Sequence, residues 1–350
     1  MKCLQYLTAP SFDRPWEKAT LRHYFNVTTI SRPQNSGREL VLILAYLVAT
    51  VFFGALLAPL LFKAGMAAAD MIEQFRLLEH RPLAWLRKVA SESGFQRYFN
   101  RAVLIAALLG LWPLLRMLKM QRKDFGLIKD PFPAQHLILG FMLAAGLLLQ
   151  LGLGLATANV FEPKRHLDLG GALKQAAITA ACVAVLEEVL FRGVLTGLLL
   201  RSLSAGKTLI TIAVLFAVLH FLKPPHDLAI ARDSVGLGTG FWLVGVIFKT
   251  FTDTSLLLSE FGTLLMVGLL LGYARLRTGA LWLPIGLHAG WVFGVFAFRG
   301  VFTGARGVKA GEHLPWIGDN LKTGILPLIV LTLTGAFLIG WQRSRAPRAS

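Results

Sequence analysis

Apolar runs broken by short clusters of charge set the plan of the chain. The runs fall at about 40–62, 101–118, 134–158, 172–200, 208–222, 261–274, 280–298 and 323–341. A helix needs roughly 20 apolar residues to cross a bilayer, so these runs predict about eight transmembrane helices. The basic residues lie between them in a pattern. Arg116, Lys119, Arg122, Lys123 and Lys129 follow the second run, and Arg201 and Lys207 follow the fourth. Arg275 and Arg277 follow the sixth, and Arg343, Arg345 and Arg348 follow the eighth. Eight crossings put all four basic turns and both termini on one side, which the positive-inside rule makes cytoplasmic. The predicted fold class is therefore all-α, a polytopic membrane helical bundle, in an inner membrane.

The intervening segments divide the chain further. Residues 1–38 form a basic cytoplasmic tail in which Trp16, Tyr24 and Phe25 can rest on the membrane surface. Residues 39–170 hold the N-terminal spans with a charged, amphipathic connector over 63–100, and Pro59 is expected near the end of the first span. Residues 171–300 form the core, and 301–350 supply the last span and a basic tail. The loop 223–259 contains Gly240–Phe251, an amphipathic stretch suited to a lid or gate. Its glycine-rich start, Gly236–Gly240, lacks the lysine and hydroxyl pair of a phosphate loop.

Composition narrows the function classes. Of 350 residues, 55% are hydrophobic, too many for an ordinary soluble domain. The formal charge of +17 would suit nucleic acid, but positive-inside loops and anionic lipid account for it, so the expected partner is the lipid bilayer and not nucleic acid. Cys3 and Cys182, one in a tail and one in a span, give no disulfide framework.

The chemistry lies in the fourth run. Glu187, Glu188 and Arg192 interrupt it near its middle, where a charge costs at least ~2.5–3.5 kcal/mol. Glu188 and Arg192 are four apart with the acid first, the favourable helical ion-pair order. Glu187 is rotated about 100° from Glu188, so it points toward another helix. His220 on the fifth run and His288 on the seventh are the candidate partners. Two imidazoles and a carboxylate can polarise a water, bind a divalent metal or relay protons. The same groups can also serve as a structural triad that locks helices together. Gly286 and Gly290 flank His288, and Gly193/Gly197 and Gly268/Gly272 share the same spacing of four, which lets membrane helices approach closely. Pro284 is expected to begin or kink the seventh helix and free the carbonyl of Ala280.

Three motifs taken together, Glu187-Glu188-x-x-x-Arg192, Phe216-x-x-x-His220 and His288, resemble the CPBP family. This family contains CAAX prenyl endopeptidases of the Rce1 type and bacteriocin-related bacterial members. The resemblance covers about 172–298. It implies an intramembrane active-site cavity in which Glu187 and His220 activate a hydrolytic water. His288 would help stabilise the oxyanion, and Glu188, held by Arg192, would support the site. The substrate would be a membrane-associated peptide, either a prenylated CAAX end or a leader or bacteriocin. The family's third motif has Asn or Asp four residues after its histidine, whereas this chain has Val292. Losing one oxyanion donor costs ~10²–10³ in rate, unless Trp291 or a backbone amide replaces it.

That departure keeps a second function in play, a catalytically impaired scaffold or bacteriocin-immunity protein retaining the polar core. A proton-coupled transporter is a third, although no inverted repeat is evident. No cofactor is expected. Zinc remains the alternative, but the chain has no His-Glu-x-x-His helix.

Overall fold

The computed structural model describes residues 36–345 apart from 76–79, 121–123, 127–129, 222–223, 225–227, 229, 250–259, 306–312, 314 and 319. Most of the expected N-terminal tail, including Trp16, Tyr24 and Phe25, and much of the basic loop after the second run lie outside these residues. The described chain is almost entirely helical.

The first helix, α1 (Ser36–Gln74), spans 39 residues and about 58 Å at 1.5 Å per residue, longer than a hydrocarbon core. The helix does not stop near Pro59, as the sequence pattern suggested, but passes through it. Proline cannot bond the carbonyl four residues back, here that of Ala55. Gly240, at the start of a later helix, packs against that same carbonyl, where any Cβ would overlap it. The connector expected over 63–100 therefore divides. Its first part extends α1, its middle forms α2 (Arg81–Ser91), and its end opens α3 (Phe95–Met117).

Next come α4 (Pro133–Thr157), a short strand β1 (Phe161–Pro163) and α5 (Leu169–Glu188). Proline at the start of α4 uses a position whose N–H has no helical partner. Asp168 caps α5 by accepting from Gly171 N at 2.8 Å. The chain remains helical past Glu188, through a π-helical stretch, Val189–Leu195, into α6 (Thr196–Ser202). The following helices are α7 (Ala205–Phe221), α8 (Thr239–Lys249), α9 (Gly262–Thr278) and α10 (Trp282–Val301). A second strand, β2 (Phe302–Gly304), precedes α11 (Ile325–Arg345). The strands pair antiparallel, Phe161 opposite Gly304, which ties the end of α10 to the segment before α5.

Helices occur at every apolar run. Among the described residues, three are long and apolar enough to cross a membrane by themselves: Leu40–Gln74 in α1, Phe95–Met117 and Pro133–Thr157. Shorter apolar segments lie in α7 (Ala205–His220), α8 (Thr239–Lys249) and α11 (Ile325–Trp341). Pro284 lies in the first turn of α10, and the Ala280 carbonyl accepts the Thr278 hydroxyl at 3.1 Å, so the proline neither kinks the helix nor orphans that group.

Close approach through glycine sets the packing of the core. Gly286 and Gly290 of α10 abut the backbone of α4 at Leu137 and Phe141, and Gly268 of α9 abuts Ala213 of α7. One apolar cluster joins α4, α9, α10 and α11, and a second joins α1, α3, α6 and α7. The stretch read as a lid, α8, belongs to a third cluster with α1 and α3. Phe241 packs on Phe52 with ring centroids 5.4 Å apart, and Arg232 ahead of α8 pairs with Asp70 of α1. This helix docks on the N-terminal pair rather than over the polar layer.

Candidate active site

Glu187 and Glu188 are the last two residues of α5, and the helix widens immediately after them. In the π stretch the Thr196 amide reaches the Phe191 carbonyl five residues back, and the Thr196 hydroxyl bonds the same oxygen at 2.8 Å. Such widened turns recur at functional sites because they re-aim side chains without ending the helix.

Arg192, inside this stretch, has no exposed surface, and neither has Glu188. Arg192 Nη1 donates to Glu188 Oε1 at 3.0 Å, the pairing that the four-residue spacing predicts. Its other terminal nitrogen reaches the Gly268 carbonyl at 3.4 Å, and its guanidinium lies 4.4 Å from the centre of the Phe216 ring. The same carboxylate oxygen also meets His288 Nδ1 at 2.8 Å. An ionised Glu188 can only accept, so His288 Nδ1 carries the proton and Nε2 is turned toward Glu187.

Glu187 points away from this buried pair. Its Oε2 lies 2.8 Å from His220 Nε2 and 3.8 Å from His288 Nε2. His220 is held at its other nitrogen, with Nδ1 2.9 Å from the Phe216 carbonyl, and its ring stacks on Phe216 at 3.9 Å. A carbonyl accepts only, so Nδ1 is protonated. The Glu187–His220 hydrogen bond must then contain one shared proton, on the ring or on the carboxyl. All five residues singled out from the sequence meet in one network: Glu187 and His220 at its open end, His288 at its centre, Glu188 and Arg192 behind it.

The open end faces a cavity of about 240 Å³ whose walls come from α4, α5, α7, α9, α10, α11 and the residues just ahead of α11. Glu187, His220 and His288 are on its wall, and Val183, Val267 and Leu331 are among its apolar lining. Val292 lines it too and offers no donor; its neighbour Trp291 lines it with an Nε1 that has no hydrogen-bond partner among the described residues. Lys322, ahead of α11, brings a cation to the same wall. Among the described residues no group of three or more His, Cys, Asp or Glu side chains is arranged to hold a metal ion.

The family model described as type II CAAX prenyl endopeptidase Rce1-like matches residues 170–294. This part of the chain is similar to that family. The matched stretch runs from the start of α5 into α10 and carries all five network residues. No curated protein and no solved structure matches the chain. The Rce1-like match supports peptidase activity in a membrane protein.

Several participants escaped sequence reading. The Gly268 carbonyl leaves no trace in residue identity. Lys322 and the wall from α11 lie outside the motifs. Arg275 looked like one more cation of a basic turn, yet it is 6% exposed and donates from Nε to the Arg192 carbonyl at 3.1 Å.

Proposed function

We propose that the protein is an intramembrane endopeptidase of the inner membrane, with both termini cytoplasmic. It cuts membrane-associated peptides, of the prenylated CAAX type or the leader or bacteriocin type. The observation that carries this reading is that Glu187, from α5, meets His220 from α7 and His288 from α10 on the wall of one apolar cavity. A peptide carbonyl and one water fit the chemistry of that wall. Glu187 takes a proton from the water as its oxygen attacks the carbonyl carbon, and His220 takes part through the proton the two share. Negative charge then grows on the carbonyl oxygen. When His288 carries both ring protons, Nε2–H can donate to that oxygen, and Glu188 stabilises the resulting imidazolium through Nδ1. Collapse of the tetrahedral centre breaks the C–N bond, and the proton held by Glu187 passes to the leaving amine.

Glu187→Gln is the decisive variant, because glutamine keeps the shape and a bond to His220 but cannot accept the proton. Cleavage of a membrane-tethered peptide should fall by ~10²–10⁴, with the protein still accumulating in the membrane. Cleavage at the parental rate would remove the proposal. The proposed site uses no metal, so a purified active sample should keep its rate in the presence of chelator.

Val292 on the cavity wall favours one other reading, a scaffold or immunity protein that retains the polar core without turnover. In that case Glu187→Gln leaves the cellular phenotype intact.

A further inference from the structure

We infer that Arg275 is a positioning residue, a latch that fixes the widened turn after the glutamates and so sets the geometry of the Glu188–His288 pair. The inference rests on the endopeptidase reading for its kinetic consequence, and on the fold alone for the latch. Arg275 sits in the last turn of α9, buried to 6% exposure. A buried guanidinium is normally matched by a carboxylate. Among the described residues no carboxylate bonds it; Nε donates to the carbonyl of Arg192, 3.1 Å away. Its setting makes this tolerable, since the carbonyl-rich C-terminal end of a helix favours a cation.

The carbonyl it holds belongs to the π stretch, where the main-chain ladder is spread and a side-chain donor can come in from outside. Two neighbouring carbonyls there, those of Phe191 and Arg192, are each taken by a side chain, Thr196 from within and Arg275 from across the interface. The backbone of residue 192 is thus fixed on one side by Arg275. Its side chain reaches Glu188 at 3.0 Å, which in turn holds His288 at 2.8 Å. Behind the latch the chain is shaped to receive it. Gly126 has φ +70°, a conformation that suits glycine, and a Cβ there would overlap the guanidinium. Arg275 touches neither the cavity nor Glu187, so its effect on chemistry must pass through Arg192.

The test uses the full-length protein in detergent or vesicles, with Arg275→Lys and Arg275→Met beside the parent. Lysine keeps the charge but not the directed Nε–H; methionine keeps the apolar stem. Two readouts are needed. Hydrogen exchange of the amides over 189–197 should speed up in both variants, with exchange in α4 and α10 unchanged. In the cleavage assay kcat should fall roughly 10- to 100-fold with KM within twofold, since geometry is disturbed and the cavity is not. Unchanged exchange over 189–197 overturns the latch, whatever the activity. Faster exchange with parental kcat overturns the positioning role. If the parent cleaves nothing, the endopeptidase reading fails, and the latch still stands or falls on the exchange measurement. Gly126→Ala gives a second route: it displaces the guanidinium without removing it, and should reproduce the local loosening.

Discussion

The two halves of the molecule are held by different forces. Helices α1 and α3 meet through small residues, with Ala55, Ala58 and Ala102 fully buried and Gly54 set against Val103. Phe62 packs edge-on against Phe95 and Tyr98 with centroids 5.7 and 5.3 Å away. Among the described residues no buried charge lies between these two helices. Between lipid-embedded helices such an interface gains from close packing rather than from any hydrophobic drive, because lipid is as apolar as leucine. The α5–α7–α9–α10 group instead encloses a fully buried carboxylate and guanidinium: Glu188 Oε1 meets both Arg192 and His288, and Arg192 also reaches a carbonyl. The first kind of interface loses stability in small steps. The second is nearly all-or-none, since removing one member strands a charge.

The largest effect should come from breaking the polar layer at its base. Arg192→Met leaves Glu188 buried without its cation and should cost about 3–5 kcal/mol. This would appear as a large drop in the unfolding midpoint of the purified protein. Adding Glu188→Gln should recover much of that loss, because the stranded charge is gone, while turnover stays low because His288 has lost its anionic anchor. Stability that is unchanged in Arg192→Met would erase the distinction between the halves.

Glycine contacts sharpen the contrast at a middle scale. A Cβ on Gly286 would overlap the backbone carbonyl of Leu137, whereas on Gly110 of α3 it would lie 3.3 Å from Tyr46 Cε2, a side-chain atom. Backbone cannot step aside as a side chain can. Gly286→Ala should therefore cost about 1–3 kcal/mol, and Gly110→Ala less, by comparison of unfolding midpoints. Gly286 also sits two residues before His288, so its displacement should lower cleavage as well as stability.

What the sequence made legible follows the same divide. Helix positions came from apolar runs, and the Glu188–Arg192 pair came from a four-residue spacing, because both are local. The convergence of Glu187, His220 and His288 is not local. It was readable because ionisable groups at membrane depth are costly and so must find each other. The path of α1 through Pro59 was not legible, since Gly240, which packs against the freed carbonyl, is far along the chain. The docking of α8 was misread for a related reason. An apolar face announces that it will be covered, and not by what. The widened turn after Glu188 has no residue signature at all, and Arg275 could not be told from its solvent-facing neighbours until its carbonyl partner was seen.

The smallest expected effect tests the rotation of α5, on which the site depends. Leu186 precedes Glu187 by one residue, about 100° around the helix, and it is 46% exposed on the outer face. Lipid replaces what that side chain touches at almost no cost, so Leu186→Ala should shift stability by less than about 0.5 kcal/mol. Its cleavage rate should stay within twofold of the parent. Set beside Glu187→Gln, this pair asks whether one step along the helix separates an inert position from the reacting one. Should Leu186→Ala impair cleavage as severely as Glu187→Gln, the outward face of α5 would itself belong to the site, and the polar layer would no longer be enclosed by its own helices.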